Sequence, residues 1–168
     1  LLLTFTRRAA LEMTRRAQRV VAEAIAAAKP GTTLPSALRL PWSGTFHAIG
    51  NRLIRQHAQR LGLDPSFSVL DRGDAADLMD VVRHRLGFSK TEKRFPRKDT
   101  CLGIYSHRIN TQLPLRHTLE TAYPWCLDWE QQLTALYRAY VEEKLVQQAL
   151  DYDDLLLYWN VLVSEPRL

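Results

Sequence analysis

The chain has 168 residues, 23 Lys/Arg against 18 Asp/Glu for a net charge of +5, 46% hydrophobic residues, 7 Gly and 8 Pro. That hydrophobic fraction is enough for one packed core and a small second one, and it excludes a chain dominated by a disordered tail. The low Gly and Pro counts exclude a collagen-like repeat, and no apolar run approaches the ~20 residues that a membrane-crossing helix needs.

Residues 1–6 are apolar and rich in strand formers, and at Arg7-Arg8-Ala9-Ala10-Leu11-Glu12-Met13 the period changes to that of a helix, which predicts a strand running straight into a helix. Ala10, Met13, Ala17, Val20, Val21 and Ala24 form its apolar face, Arg8, Glu12, Arg15 and Arg19 line the other, and Pro30-Gly31 is the stop. After a Pro-containing linker, residues 40–44 read as a second short strand. Phe46, Ile49, Leu53, Ile54, His57 and Leu61 then recur at helical spacing, with Gly62 as the stop. Phe67-Ser68-Val69-Leu70 reads as a short extended stretch, and Asp71 as the cap of a helix to about Leu86, with Asp74 completing an acidic first turn. Between Gly87 and Pro124 the pattern predicts one helix near Asp99 to Asn110 and no strand. Trp129, Leu133, Leu136, Tyr137, Tyr140 and Lys144 trace one helical stripe, and Asp151-Tyr152-Asp153-Asp154-Leu155-Leu156-Leu157 opens a final apolar helix. Strands alternating with helices, followed by helices alone, predict an α/β chain that is mostly helical.

Charge is uneven. Residues 1–60 carry 10 Lys/Arg against 2 Asp/Glu, 61–120 carry 10 against 8, and 121–168 carry 3 against 8. The basic end is the candidate polyanion contact; the alternative is a pair of solvated arginine-rich helix faces, and charge alone does not separate the two. The acidic end supplies a rival reading, a helical protein-interaction module without enzymatic activity, with Trp125, Trp129, Tyr137 and Tyr140 as the partner surface.

Several chemistries lack their residues. No G-x-x-x-x-G-K-[ST] loop and no G-x-S-x-G elbow occur, and the five histidines at 47, 57, 84, 107 and 117 do not sit at metal-ligand spacings. Cys101 and Cys126 lack the spacing of a zinc pair and are too few for a disulfide scaffold, which fits a cytoplasmic setting. Asp151, Asp153 and Asp154 invite a metal reading, but Asp151 with Asp154 three residues on, before three leucines, is a helix-start signature, so no metal site is expected.

Three segments stand together: Leu3-Thr4-Phe5-Thr6-Arg7-Arg8-Ala9-Ala10-Leu11-Glu12-Met13, Gly44-Thr45-Phe46-His47-Ala48-Ile49-Gly50, and Asp151-Tyr152-Asp153-Asp154-Leu155-Leu156. In this order and at this separation they resemble the UvrD/Rep-type superfamily 1 DNA helicases. Arg60-Leu61-Gly62-Leu63 and Phe67-Ser68-Val69-Leu70-Asp71 resemble that family's link from its core into an inserted helical subdomain. One departure is Arg7, where these helicases often carry Asn.

The resemblance implies part of an ATP-dependent 3′ to 5′ DNA helicase: a partial RecA-like, P-loop NTPase-type parallel sheet at 1–71, an inserted all-α subdomain at 72–150, and a return helix at 151–168. The opening at Leu1 without an initiator Met reads as a strand cut from a larger protein. ATP and Mg2+ are implied for the parent; no cofactor, no catalytic residue and no ATPase activity are expected in this stretch. The partner is DNA, single-stranded or at a junction with duplex, and no membrane. Strand ends followed by helix N-termini suit a phosphate, which assigns Thr4, Thr6, Arg7 and Arg8 to DNA, with Phe5 stacking on a base. Thr45 and His47 belong to the same interface, whereas Phe46 is expected in the core. Lys90, Lys93, Arg94, Arg97 and Lys98, with Phe95 among them, are candidate duplex contacts. An unpaired edge along residues 1–6 is a candidate for self-association.

Overall fold

The computed structural model describes residues 1–29, 40–89 and 94–164. Two compact units emerge, Leu1–Gln56 and His57–Leu168. The expected stop at Pro30-Gly31 lies outside the described residues.

In the first unit, β1 (Leu2–Thr4) pairs in parallel with β2 (Ser43–Thr45), with Thr4 opposite Thr45. Each strand feeds a helix, α1 (Arg7–Ala28) and α2 (Phe46–Gln56). Thr14 on α1 donates its hydroxyl to Ser43 Oγ at 2.9 Å, tying helix to sheet. The predicted first strand is shorter than residues 1–6, because Thr6 leaves it to cap α1. The apolar face expected on α1 is buried only at Ala10, and Val20 is 59% exposed. The reason is length: 22 residues of helix span about 33 Å, whereas three-residue strands span about 10 Å and cover only the first turns.

The second unit opens with a short 3-10 helix, Ala58–Leu61, closed by Gly62 at φ 70°, the left-handed geometry that glycine adopts without a Cβ clash. Then come β3 (Ser68–Val69), α3 (Arg72–Arg85), α4 (Lys98–Thr111), α5 (Leu115–Ala122), a 3-10 helix at Pro124–Trp129, α6 (Glu130–Val146), β4 (Ala149–Leu150) and α7 (Tyr152–Ser164). α3 begins where expected, since Asp71 Oδ1 accepts from the N–H groups of Gly73 and Asp74 at 2.7 and 3.0 Å. Asp71→Ala is expected to cost about 1 kcal/mol of stability, read as a lowered urea midpoint at unchanged slope; an unmoved midpoint refutes the cap's role.

Met79 and Val82 of α3, Cys101 and Ile104 of α4, Leu119 of α5, and Leu133, Leu136 and Tyr140 of α6 are fully buried and form one core. They recur at three- and four-residue spacing, which places them on the facing stripes of their helices. Cys101 and Cys126 are both free thiols in this core. Two elements were not legible as pattern: α5 with the 3-10 helix after it, and β4. β4 pairs in parallel with β3, Ser68 opposite Ala149 and Val69 opposite Leu150, and Gln148 reaches it through a left-handed φ of 49°. A two-residue strand has no periodicity to read. The strands thus form two separate two-stranded parallel sheets, an α/β composition that is mostly helical. Of the four aromatics expected as a partner surface, Tyr137 and Tyr140 are core residues and Trp129 packs on Phe95, because aromatics on a helical stripe facing other helices are buried first, whereas Trp125 is 70% exposed.

Candidate nucleic-acid interface

Parallel pairing sends β1 and β2 out at the same sheet edge, so α1 and α2 start side by side. Thr6 sits at φ −109°, ψ 148°, and its Oγ1 accepts from the Ala9 N–H at 3.1 Å. Thr45 Oγ1 accepts from the Ala48 N–H at 3.3 Å. Each hydroxyl therefore caps a helix and retains one O–H to donate. Neither helix has an acidic residue in its first turn. The side chains that normally offset the positive end of a helix dipole are thus missing from both ends, and Arg7 and Arg8 add two exposed guanidinium groups there.

Phe5 is 86% exposed, against the strand alternation that would bury it. Its ring lies 5.1 Å from that of Phe46, with the planes at 37°. Phe46 is half-buried instead of core, because it opens α2 at the strand-end edge, where its ring meets that of exposed Phe5. His47 and Thr4 are half-buried at the same edge. The seven residues expected at this interface, Thr4, Phe5, Thr6, Arg7, Arg8, Thr45 and His47, thus come from one pair of strand ends and the helices that follow them.

The second basic group separates. Lys90 and Lys93 lie outside the described residues. Lys98 forms an ion pair with Asp77, joining α4 to α3. Phe95 is 4% exposed and packs on Phe88 and Trp129 at 5.0 and 5.3 Å, so it anchors the segment instead of contacting a ligand. Arg94 and Arg97 remain exposed.

The three carboxylates at the start of α7 are engaged. Asp151 and Asp154 cap each other, the Asp154 N–H donating to Asp151 Oδ1 at 2.9 Å and the Asp151 N–H to Asp154 Oδ2 at 3.0 Å. Buried Lys144 donates to Asp151 at 2.7 Å and Asp154 at 2.5 Å, and Tyr140 donates its hydroxyl to Asp151 at 2.9 Å. Asp153 accepts from Ser106 and, at 2.8 Å, from Asn110. Burial alone would lower the Lys144 pKa, but Asp154, Tyr105 and Asp151 together hold it above its ordinary value, so the ammonium persists. Sequence reading placed Lys144 on the stripe without seeing this role. The available signal was a lysine in line with apolar residues, seven positions before Asp151.

Two helix N-termini without acidic side chains thus start side by side at the strand ends of an α/β unit, with Arg7, Arg8 and an exposed aromatic ring at that edge. The model of the UvrD/REP helicase N-terminal domain matches residues 1–167, and the chain belongs to that family. It is 30% identical over 157 residues to the ATP-dependent DNA helicase PcrA of Leuconostoc citreum, covering 94% of this chain and 19% of that protein. It is 29% identical to the ATP-dependent DNA helicases PcrA of Staphylococcus epidermidis, over 160 residues, and Staphylococcus aureus, over 163 residues, with the same coverage. The chain thus spans about a fifth of the length of these curated relatives. Among the described residues no helix is long and apolar enough to cross a membrane.

Proposed function

We propose that this chain is a piece of an ATP-dependent DNA translocase of 3′ to 5′ polarity, in which Thr4, Phe5, Thr6, Arg7, Arg8, Thr45 and His47 hold single-stranded DNA. The observation that carries this is the edge where both helices begin: N-termini without acids, two arginines, and a phenylalanine 86% exposed. Backbone phosphates suit the amides and guanidinium groups, and a stacked base suits Phe5; neither contact reads sequence, as a motor that steps along any strand requires.

In this reading 1–71 belongs to a RecA-like core, 72–150 to a helical insertion near the duplex, and 151–168 to the return. The β3–β4 pair supports it, because the chain enters α3 and leaves α6 through adjacent parallel strands, as an insertion hung from one neck does. Arg94 and Arg97 are the duplex contacts, together with Lys90, Lys93 and Lys98 as far as the Asp77 pair releases the last. Among the described residues β1 pairs on one side only, with β2, and its other edge is the site for self-association of the isolated chain.

The residues here do not fit ATP and Mg2+. No phosphate-binding loop is present in the 168 residues, and Asp151, Asp153 and Asp154 are committed to Lys144, Ser106, Asn110 and their own cap. The nucleotide therefore belongs to other parts of the parent, and this stretch hydrolyses none.

Fluorescence anisotropy of a labelled single-stranded oligonucleotide tests the interface. Phe5→Ala is expected to weaken binding by about 1–3 kcal/mol, and Arg8→Ala to reduce the log–log salt slope by about 0.7. Binding that ignores salt and both substitutions refutes the assignment.

A further inference from the structure

Between α4, α5 and α6 the helical unit holds an open groove of about 430 Å³, a size that ordinarily takes a ligand. Its apolar lining is aliphatic. Ile109 of α4, Leu115 at the start of α5 and Val141 of α6 line it, together with Tyr105 and Tyr137, which are each only 3% exposed. Both phenols are engaged inside the unit, Tyr137 donating to the Cys101 carbonyl at 3.0 Å and Tyr105 accepting from Lys144 at 3.5 Å. Exposed apolar side chains flank the groove in the chain: Leu113, in the turn between α4 and α5, and Leu145, one helical turn along α6 from Val141.

The polar lining is cationic. Arg108, half-buried in the last turn of α4, and Arg138, exposed on α6, both face the groove. Neither guanidinium has an ion-pair or side-chain hydrogen-bond partner among the described residues. Elsewhere on α6 the charges are matched, Glu130 by Arg116 and Glu143 by Arg85. Glu142 is the one carboxylate in the lining, so cations outnumber anions there two to one. α5 begins at the groove with no acidic residue in its first turn, which leaves the positive end of its dipole uncompensated.

A nucleic-acid strand fits this place poorly. With both tyrosines buried, no ring face is open for a base to stack on, and Glu142 would repel a run of phosphates. Aliphatic side chains interspersed with a few carboxylates match the groove on both counts. We propose that it docks an acidic, leucine-bearing segment of a partner protein, whose carboxylates meet Arg108 and Arg138 while its apolar side chains lie against Ile109, Leu115 and Val141. No residue assigned to DNA takes part, so this inference and the DNA-binding reading stand or fall separately.

The test is fluorescence anisotropy of a short labelled peptide of leucines and glutamates, titrated with the whole chain. Beside it run the same peptide with glutamine for glutamate, a version with serine for leucine, and a labelled oligothymidine. The leucine–glutamate peptide is expected to bind, and both altered peptides to bind at least about 10-fold more weakly. Arg108→Gln should weaken binding about 10-fold, and exposed Arg138→Gln about 2- to 5-fold, because solvent screens it more. Arg138→Glu should lose the glutamate peptide and gain affinity for one of leucines and lysines, a reversal that mere loss of folding cannot produce. Absence of binding by the leucine–glutamate peptide, or equal binding by its glutamine version, overturns the proposal. So does oligothymidine binding that falls in Arg108→Gln and Arg138→Gln while peptide binding holds, since the groove then belongs to nucleic acid. A dimer by sedimentation that Val141→Asp dissolves also overturns it, because a second copy then fills the groove.

Discussion

Lys144→Ala is expected to lower the unfolding free energy by about 3–5 kcal/mol, the cost of leaving buried carboxylates without their cation. Lys144 is 2% exposed, bonded to Asp151 and Asp154, with its ammonium 4.7 and 5.2 Å from the rings of Tyr140 and Tyr105. Removing the ammonium strands two carboxylates that also cap α7, so the loss reaches the junction where β4 turns into that helix. Lys144→Met alone should recover little, because it restores volume and not charge. Adding Asp151→Asn and Asp154→Asn should recover part, since the remaining groups are then neutral and Asn still caps. Urea unfolding at pH 7 measures all three; a Lys144→Ala midpoint shift worth under about 1 kcal/mol would refute the network's role.

Stability is expected to fall steeply above pH 9. Burial pushes the Cys101 thiol from an ordinary value of 9.0 up to about 12, and the Tyr105 phenol from 10.0 up to about 12. Burial likewise raises Tyr140, with Asp151 and its hydrogen bond adding to the effect. These groups are neutral when protonated, so the folded state holds protons that the unfolded state releases. The stability they contribute is complete below the unfolded value, 9.0 for Cys101, and is lost as pH climbs toward the folded one. Each such group removes about 1.4 kcal/mol per pH unit in its window, so Cys101 alone costs about 2 kcal/mol by pH 10.5. Lys144, whose pKa is also raised, adds its loss only above 10.5. Urea midpoints at pH 7, 9, 10 and 11 under reducing conditions check this. Cys101→Ala should flatten the segment between 9 and 10, and a midpoint constant to pH 11 would exclude the mechanism.

Local chemistry was legible wherever a few adjacent residues decide the outcome. Asp71 caps α3, Gly62 ends the turn before β3, and Asp151 with Asp154 opens α7, because each depends on hydrogen bonds within three residues. The stripe from Leu133 to Lys144 was legible because helical period and burial coincide. Phe5 shows the limit: strand alternation by itself would bury it and only the family resemblance set it at the surface, where β1 ends at Thr4 and the ring is exposed. Phe95 and Lys98 show the converse, a basic run whose aromatic is buried and whose lysine pairs with a helix 21 residues away.

By itself the sequence determined the α/β, mostly helical class, the helix starts and the residues that gather at the strand ends, since propensity, capping and family motif all act over short stretches of chain. Only the tertiary structure decided that β3 and β4 pair in parallel, that Lys144 faces two carboxylates, and that Trp125 stays in solvent while Trp129 packs on Phe95. Each of those depends on which surfaces meet across dozens of residues. No local pattern encodes that choice, because burial is settled by the partner a side chain finds and not by its own neighbours in the chain.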